Sequence, residues 1–390
     1  MDLSLTEEEQ GFADDARAWL AAHAEAAPDG GDLAAQVAWG RHWQRKLAEA
    51  GWVGIDWPAE YGGRGATAVQ VAIFNAEYAR SGAAQLVNRV GINLAGPTLL
   101  AHGTPEQCRR WLPGITRAED IWCQLFSEPG AGSDLASLRT RAEKVEGGWS
   151  VYGQKVWTSY AQFARYGLCL ARSEEGSEGS RGLSLLVVPM EGTGIEIRPL
   201  VQITGEAEFN EVFLDGVFVP DDHLVGPPGQ GWSVASTTLA HERGTNFPFK
   251  EEVVHEGYLA QLFAEAARRG TLDDPDVADG LVDAYVALVV LRTHNWRTLS
   301  KLAKGGSPGA ESSWVKLTWS EMTQQLSETA LAVLGEESPL WGRWSRQWLW
   351  SKSASIAGGT SEVQRTIIGE RILGLPREPR PEKTTQSQRR

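Results

Sequence analysis

Residues 122–135, with the sequence WCQLFSEPGAGSDL, carry the group types best suited to chemistry in this chain. A strand-like run with β-branched and aromatic character extends from Ile121 to Phe126. Pro129 ends the run because proline cannot donate a ladder hydrogen bond, and the glycines after it permit left-handed backbone angles and close approach of another group. Such a turn, carrying Ser133, predicts backbone N–H groups that hold phosphate oxygens, although a tight surface turn has the same composition. The third glycine and the helix of a Rossmann fingerprint are missing.

Composition and charge exclude several classes of partner. The 390 residues are enough for two or three domains, and 42% hydrophobic with 22% charged residues is ordinary for a soluble globular protein. With 37 Lys and Arg against 50 Asp and Glu, the net charge of −13 argues against a nucleic-acid partner. An anionic substrate would therefore need a local basic patch.

Cysteine usage and the N-terminal sequence predict the compartment. The three cysteines are odd in number and far apart, which predicts free thiols in a reducing compartment. No CxxC or HExxH motif is present, so we expect no metal site. The acidic N-terminus MDLSLTEEEQ does not resemble a signal or transit peptide, and no apolar run is long enough to span a membrane. We expect a cytoplasmic protein without a membrane partner.

The elements that must position the 122–135 stretch fall into three groups. A capping box at Thr6–Glu9 opens a helix, and amphipathic helical patterns continue to about residue 118. From residue 121 to 219, strand-like runs with mostly short connections predict an antiparallel barrel or sandwich, including a hairpin at Gly147-Gly148. Helical patterns return after residue 226, as one long segment over 232–269 followed by 275–304, 309–334 and a last helix from Ser361.

We therefore expect an α+β multidomain protein. The predicted parts are an N-terminal helical domain (1–118), a middle β domain (119–225), a C-terminal helical bundle (226–376) and a disordered tail (377–390). Within the bundle, a heptad-like apolar stripe predicts bundle core or a subunit interface; its members are Val315, Trp319, Met322, Leu326, Ala330 and Val333.

Three motifs in order resemble the signatures of the acyl-CoA dehydrogenase family. They are SEPGAGSD at 127–134, GQKVWTS at 153–159 and GTSEVQR at 359–365, and the likeness extends from about Leu5 to Pro376. It also includes WPAEYGG at 57–63. The resemblance implies FAD, a four-helix C-terminal bundle, and formation of a double bond between the α and β carbons of an acyl-CoA thioester. In that family a carboxylate removes the α proton while a hydride leaves for the flavin.

The resemblance also implies roles for single residues. It places Gln124, Phe126 and Ser127 against the flavin ring and pyrophosphate, and Ser133 near the CoA arm. It places Trp157 on the flavin, with Thr158 and Ser159 hydrogen-bonded near N5 and O4. Taken alone, Trp157 would fit a buried strand tryptophan equally well. Thr360 and Glu362 are implied FAD contacts.

The catalytic base departs from the commonest family pattern. Many members carry the base just before the Gly-Thr-Ser of the last motif, where this chain has Gly358. Isovaleryl-CoA and long-chain acyl-CoA dehydrogenases place theirs on the first C-terminal helix, before an arginine. The sequence LAHERG at 239–244 resembles that arrangement, so Glu242 is the expected base, although such a dipeptide is usually a solvated pair. The backbone N–H of Gly358 is still expected to bind the thioester oxygen.

Two arginines are implied to contact the charged ends of the ligands. Arg243 is expected on the CoA side of the substrate, and Arg268 at the FAD pyrophosphate of a neighbouring subunit. The family's Arg-x-x-Phe-Gly context around the latter is absent, and its Gly-Gly-x-Gly loop is replaced by GEESP at 335–339. The adenosine half of the FAD site therefore departs from the family pattern.

The sequence leaves three functions open. The first is an FAD-dependent acyl-CoA dehydrogenase, forming a homodimer or homotetramer and passing electrons to an electron-transfer flavoprotein. The second is an acyl-CoA oxidase or monooxygenase of the same fold, and the third is a subunit of a heteromeric dehydrogenase. Because Gly358 leaves space near the α carbon, a branched, bulky or ring-bearing acyl group is expected.

Overall fold

The architecture consists of helices, then a β-sheet, then helices again. The computed structural model describes residues 5–28, 30, 32–242, 247–306 and 309–377. The N-terminal helices are α1 (Glu7–His23), α2 (Leu33–Glu49), α3 (Ala68–Arg80), α4 (Gly96–His102) and α5 (Pro105–Thr116). The strands are β1 (Trp122–Leu125), β2 (Arg141–Val145), β3 (Gly148–Ser159), β4 (Tyr166–Arg172), β5 (Leu183–Pro189), β6 (Ile195–Leu200), β7 (Phe209–Pro220) and β8 (Leu224–Val225). The C-terminal helices are α6 (Gly231–Glu242), α7 (Phe247–Arg269), α8 (Pro275–Ala303), α9 (Ser312–Leu334), α10 (Arg343–Ala354) and α11 (Ser361–Ile367).

The N-terminal helices begin where side-chain caps satisfy their first N–H groups. The capping box predicted at Thr6 is confirmed, because its hydroxyl accepts from the N–H of Glu9 while that glutamate accepts from the N–H of Thr6. These helices enclose a core in which several tryptophans are almost fully buried, namely Trp43, Trp57 and Trp111. They form one wall against the β-sheet.

The sheet has the strand order β6-β7-β3-β2-β4-β5-β8, with β1 beside β4. The predicted hairpin at Gly147 joins β2 and β3, and most neighbours are antiparallel as expected. Two pairings are parallel instead: β1 with β4, and β2 with β4 at Arg141 and Arg172. The direction of β1 is not set by a hairpin, since the chain enters it from α5.

Side chains on β4 alternate between two cores. Leu168 and Leu170 pack with the N-terminal helices, whereas Cys169 and Ala171 lie in a second core enclosed between strands of the two halves of the sheet. The sheet therefore connects the helical domain to the β core. All three cysteines are buried and free, as predicted: Cys123 and Cys169 in the β core, and Cys108 in the N-terminal core.

The C-terminal helices differ from the predicted pattern in one place. Of the long helix predicted over 232–269, the structure describes the helical parts α6 and α7, and residues 243–246 between them lie outside the described part of the chain. Helix α10 was not predicted, because its tryptophan-rich sequence RWSRQWLWSKSA lacks a clear apolar face. The heptad-like stripe on α9 is bundle core, since all six of its members are buried together. Most of the predicted tail, residues 378–390, lies outside the described residues.

Candidate active site

The glycine-rich loop after β1 is held in place by a buried ion pair. Lys155 on β3 is fully buried and its ammonium lies 3.0 Å from the carboxylate of Glu128. The same ammonium donates to the carbonyls of Phe126, at 3.0 Å, and Leu170, at 2.9 Å. Three acceptors from two segments, the start of the loop and β4, thus surround one cation from β3, so the loop is fixed to both strands at its first turn.

Glu128 uses its remaining hydrogen-bonding capacity on the chain that follows the loop. Its carboxylate accepts from the N–H groups of Arg139, at 2.7 Å, and Thr140, at 2.8 Å. Burial alone would raise the pKa of Glu128, but the Lys155 ammonium and these hydrogen bonds lower it overall. The backbone of Glu128 also pairs with Ala131 across the loop. The loop conformation is therefore fixed by the protein itself.

Trp157 occupies a strained and exposed position at the end of β3. Its φ is +60°, a left-handed value that is a genuine outlier for a bulky residue. The β3–β7 register shifts between Lys155 and Thr158, so the tryptophan sits in a β-bulge. Its side chain is 61% exposed and meets Phe209 edge-on at 6.1 Å between ring centroids. Strain and an exposed indole together are typical of a ligand contact.

The two hydroxyls after Trp157 face different environments. Thr158 is fully buried, and its hydroxyl has no hydrogen-bond partner among the described residues. Ser159 is only half-buried, and its hydroxyl has no partner in the described part of the chain either. A ligand could reach Ser159 without rearrangement, whereas Thr158 would be limited to backbone contacts. The geometry therefore favours Ser159 for the predicted hydroxyl contact.

Strand β1 offers one accessible polar side chain beside this segment. Gln124 is half-buried between two buried neighbours, and its amide makes no side-chain hydrogen bond among the described residues. Phe126 is buried and its carbonyl is occupied by Lys155. Ser127 lies beside β3, since its carbonyl accepts from the N–H of Val156 at 2.9 Å. The structure thus brings Gln124 and Ser127 to the Trp157 segment.

Ser133 is exposed at the far end of the loop. It remains open to solvent, in keeping with its predicted place near the CoA arm.

A second turn of the chain is built for backbone contacts. Gly358 and Gly359 have φ values of +66° and +91°, conformations that favour glycine. The side-chain amide of Gln364 donates to both of their carbonyls, at 3.0 and 3.2 Å. The N–H of Gly358 has no acceptor among the described residues, so it is available to a ligand oxygen. The turn leads into α11, which Thr360 caps by accepting from the N–H of Val363.

Glu362 is exposed in the first turn of α11. Hydrogen bonds from its own N–H and from Thr360 lower its pKa. Its charge complements the helix N-terminus, which accounts for the residue without any ligand.

Helix α6, which ends at the expected base, is fixed against the N-terminal domain. The hydroxyls of Thr98 and Thr238 lie 2.8 Å apart and are buried, and His102 bonds the hydroxyl of Thr237 at 2.7 Å. Glu242 is the last residue of this helix. Its side chain, and the whole of Arg243, lie outside the described residues.

A titratable pair lies beside the end of α6 and was not predicted from the sequence. Burial raises the pKa of Asp56 and lowers the pKa of His241, and the attraction between the two opposes both shifts. His241 directly precedes Glu242. Asp56 of the N-terminal domain therefore acts on the charge of His241 in the last turn of α6.

Arg268 lies at the exposed end of α7 and bonds within its own helix. Its guanidinium donates to Glu265 at 2.5 and 2.9 Å, and its side chain is 65% exposed. The next residue, Arg269, bonds Glu337 at 2.6 Å and so links this loop to the one after α9. The two loops that depart from the family pattern thus neutralise each other, and the structure does not bring Arg268 to the Trp157 segment of the same chain.

Comparison with known proteins identifies the fold. The N-terminal, middle and C-terminal domain models of the acyl-CoA dehydrogenases match residues 6–119, 123–217 and 229–373. The acyl-CoA dehydrogenase IpdE1 of Mycobacterium tuberculosis is 43% identical over 343 residues, which cover 87% of this chain and 88% of that protein. This chain belongs to the acyl-CoA dehydrogenase family.

Two solved structures of the family are closely similar. The Tcur3481-Tcur3483 steroid ACAD superimposes with a TM-score of 0.84 at 28% identity, covering 97% of this chain and 100% of that chain. The ChsE4-ChsE5 complex from Mycobacterium tuberculosis gives a TM-score of 0.81 at 31% identity, with coverage of 97% and 100%. The protein is accordingly a flavoprotein oxidoreductase that dehydrogenates an acyl-CoA, and its cofactor is FAD.

The described residues fit a flavin ring. An exposed indole, an accessible hydroxyl without a partner and an accessible amide lie on adjacent segments at Trp157, Ser159 and Gln124. These are the groups needed to pack on a flat heteroaromatic ring and to bond its polar edge.

Lys155 and Glu128 were missed as site residues from the sequence. The available signal was a charged residue inside an otherwise strand-like run, with an opposite charge inside the glycine-rich motif. No helix in the described ranges is both long and apolar enough to cross a bilayer.

Proposed function

We propose that this acyl-CoA dehydrogenase uses Glu242 as the base that takes the substrate's α proton. The observation that supports the proposal is Gly358, which occupies the family's other base position with a φ of +66° and carries no titratable group. The resemblance of LAHERG at 239–244 then supports Glu242, the last residue of α6, as the base, and this helix contacts the N-terminal domain one turn earlier at Thr237 and Thr238.

The catalytic work of the chain's own residues divides into two tasks. When bound, FAD supplies the hydride acceptor. Glu242 removes the weakly acidic α proton, and the free N–H of Gly358 donates to the thioester oxygen on which negative charge develops. One such donor contributes about 3 kcal/mol to the transition state in comparable sites. Gln124, Phe126, Ser127, Trp157, Thr158 and Ser159 would hold the flavin, with Phe126 and Thr158 limited to backbone contacts.

The test is Glu242→Gln, which keeps the shape of the side chain and removes its basicity. We expect the purified variant to retain its yellow flavin and to lose turnover by about three orders of magnitude or more, the size of a lost general base with its positioning. Glu256→Gln is the matched control, because that carboxylate is 53% exposed on the next helix. Turnover near that of the wild type in Glu242→Gln would assign the base elsewhere.

Two further measurements address the other functions considered for this fold. Peroxide formed per thioester oxidised separates a dehydrogenase from an oxidase or monooxygenase. A flavin spectrum of the chain purified alone separates an independent enzyme from a subunit that requires a partner. We expect little peroxide and a bound flavin.

We propose a bulky or ring-bearing acyl group as the substrate class. Gly358 leaves space where other members carry a carboxylate, and one similar structure is named a steroid ACAD. Turnover of ring-bearing or α-branched thioesters should exceed that of straight-chain ones, and a clear preference for straight chains would contradict this.

We propose that the adenosine half of the FAD site is completed across a subunit interface. Arg268 is exposed and could leave Glu265 for a pyrophosphate on a neighbouring subunit, with Thr360 and Glu362 near the same cofactor. Ser133 and Arg243 would bind the CoA side of the substrate.

The neighbouring subunit in this proposal is a second copy of the chain. One of the similar structures is a complex of two different chains, so a heterotetramer is the alternative that purification of the chain alone would test. We also propose that an electron-transfer flavoprotein accepts the electrons and that the protein is cytoplasmic. The proposed domains are residues 1–118, 119–225 and 226–376, followed by the tail 377–390.

A further inference from the structure

The segment from Trp157 to Tyr160 has a left-handed backbone at both of its ends. Trp157 has a φ of +60° and Tyr160 a φ of +54°, although neither residue is a glycine. Such conformations are strained and persist only where the surrounding structure enforces them. The segment that carries Trp157 and Ser159 therefore depends on contacts with the rest of the protein for its shape.

A β-bulge interrupts the backbone ladder at Trp157. Between Lys155 and Thr158, β3 advances three residues where β7 advances two. Regular pairing resumes at Thr158, which lies opposite Asn210, and continues to Ser159. A bulge bends the strand and leaves the extra residue without a partner in the ladder, so side-chain hydrogen bonds become important for holding the segment in place.

The side chain of Asn210 supplies such hydrogen bonds at the centre of the segment. Its amide nitrogen donates to the carbonyl of Thr158 at 3.1 Å and to the carbonyl of Glu208 at 3.2 Å. The same nitrogen donates to the side-chain oxygen of Gln162 at 2.5 Å. Asn210 is fully buried. One amide group thus joins the strained segment, the turn that follows it and the start of β7.

The amide oxygen of Asn210 indicates that the residue is present for its donor groups. This oxygen is buried and accepts no hydrogen bond from the part of the chain that the structure describes. A buried acceptor without a partner is unfavourable, and an apolar side chain of similar size would avoid that cost. The donors therefore account for an asparagine at this position.

The end of the segment at Tyr160 is held separately. The N–H of Tyr160 donates to the carbonyl of Glu208 at 2.8 Å, and its hydroxyl donates to the carboxylate of Glu208 at 3.2 Å. The side-chain amide of Gln162 donates to the carbonyl of Ala207 at 3.2 Å. These bonds fix the turn after β3, whereas the amide of Asn210 acts at Thr158, directly between Trp157 and Ser159.

We propose that Asn210 is a positioning residue for the flavin. Its amide holds Thr158, so that the indole of Trp157 and the hydroxyl of Ser159 already have the positions in which they meet the ring. The inference rests on the proposed function for the contacts of these two side chains with the flavin. Because the segment is fixed beforehand, less conformational entropy is lost when the cofactor binds, and binding is stronger.

The experiment compares variants of the full-length protein freed of its flavin. Asn210→Leu removes the donors at similar side-chain size, and Asn210→Ala does so with less crowding if the leucine variant does not fold. Gln162→Met is the matched control, because it removes one bond of the same amide and leaves the bond to Thr158 in place. Trp157→Leu shows the effect of losing the indole itself.

Two properties are measured at a temperature where circular dichroism shows each variant to be folded. They are the dissociation constant for FAD and the fluorescence of the bound flavin, which an indole in contact with the ring quenches. We expect Asn210→Leu and Asn210→Ala to raise the dissociation constant about 10-fold and to increase the fluorescence, because the indole is no longer held against the ring. Gln162→Met should stay within about twofold of the wild type in both, even if its melting temperature falls.

Wild-type affinity and fluorescence in a folded Asn210 variant would overturn the proposal. Equal changes in Gln162→Met would also overturn it, since they would show a general loss of structure in place of a specific effect on the flavin segment.

Failure of the proposed flavin contact gives a different result. If Trp157→Leu has wild-type affinity and fluorescence, the indole does not touch the ring, and a change in the Asn210 variants then assigns the positioning role to Ser159 alone. If Trp157→Leu changes both properties while the Asn210 variants change neither, the contact stands and the role of Asn210 does not.

Discussion

At the scale of single residues, the ion pair of Lys155 and Glu128 is the part of the site that is held most firmly by hydrogen bonds to the rest of the protein. Both side chains are nearly inaccessible, and each is bonded to backbone as well as to its partner. A buried pair of this kind contributes little net stability compared with apolar residues, but removal of one partner leaves an uncompensated charge. Its role here is to fix the position of the loop.

Lys155→Met should therefore destabilise the protein and displace the loop. We expect a loss of about 3–5 kcal/mol in the free energy of unfolding at neutral pH, measured by urea denaturation, together with reduced flavin content. The double variant Lys155→Met with Glu128→Gln should recover part of the stability, since no unpaired charge remains. An unchanged midpoint for the single variant would contradict the role of the pair.

The Lys155–Glu128 pair also determines how the stability of the folded protein changes with pH. Because the folded-state pKa of Glu128 lies below its ordinary 4.5, the stability it contributes is present above that value and is lost as pH falls through the folded pKa. In Lys155→Met the unpaired buried carboxylate instead favours protonation. The stability difference between the two proteins should therefore shrink on acidification.

At the scale of secondary-structure elements, the end of β3 shows a strand adapted to a ligand. The bulge and the left-handed backbone at Trp157 interrupt regular pairing with β7 and aim the indole outward. A strand optimised only for stability would place a glycine there or continue the regular ladder. The backbone strain at Trp157 therefore occurs at the position that the flavin is proposed to cover.

Trp157→Gly should have opposite effects on the empty and the loaded protein. Without flavin we expect stability to rise by roughly 1 kcal/mol, because glycine adopts a positive φ without strain and little buried surface is lost. With flavin we expect weaker cofactor binding and lower stability than in the wild type. Thermal denaturation with and without added FAD measures both, and a destabilised empty variant would show that the residue is structural.

The sequence predicted the order of these elements well and their geometry less well. The predictions that depend on local sequence preferences were confirmed: the capping box at Thr6, the hairpin at Gly147-Gly148 and the buried apolar stripe of α9. Gly153 lies inside strand β3, where it allows close packing, since a Cβ atom there would lie 2.3 Å from the hydroxyl oxygen of Thr140. The ion pair of Lys155 and Glu128 comes from two segments that are distant in the sequence, so no local pattern could reveal it.

At the scale of the whole molecule, α8 presents an apolar face to solvent. The face is a continuous helical stripe of side chains that are 38–56% exposed, formed by Val282, Tyr285, Val286, Val289 and Val290. Such a patch is unusual on a monomer. Asp279 and Arg297 are exposed on the same side of α8 and lie equally far along the helix from Leu288. If a second copy packs antiparallel, Asp279 of one copy therefore lies opposite Arg297 of the other. We therefore expect two copies of this chain to meet through α8.

Val286→Asp should weaken this association. The substitution places a charge at the centre of the apolar stripe, where desolvation opposes contact. Sedimentation equilibrium should show a smaller particle or a higher dissociation constant, whereas Val145→Asp, at an exposed valine on β2, should match the wild type. An unchanged assembly in Val286→Asp would place the interface elsewhere.

Chemical labelling of the three buried cysteines can be used to follow the opening of the folded protein. Burial raises the pKa of each thiol, to about 11 for Cys169, so the reactive thiolate is scarce while the fold is closed. A thiol reagent can then modify a cysteine only when the surrounding core opens. Because Cys108 lies among the N-terminal helices and Cys123 and Cys169 lie in the β core, the order in which they are labelled gives the order in which the two cores come apart.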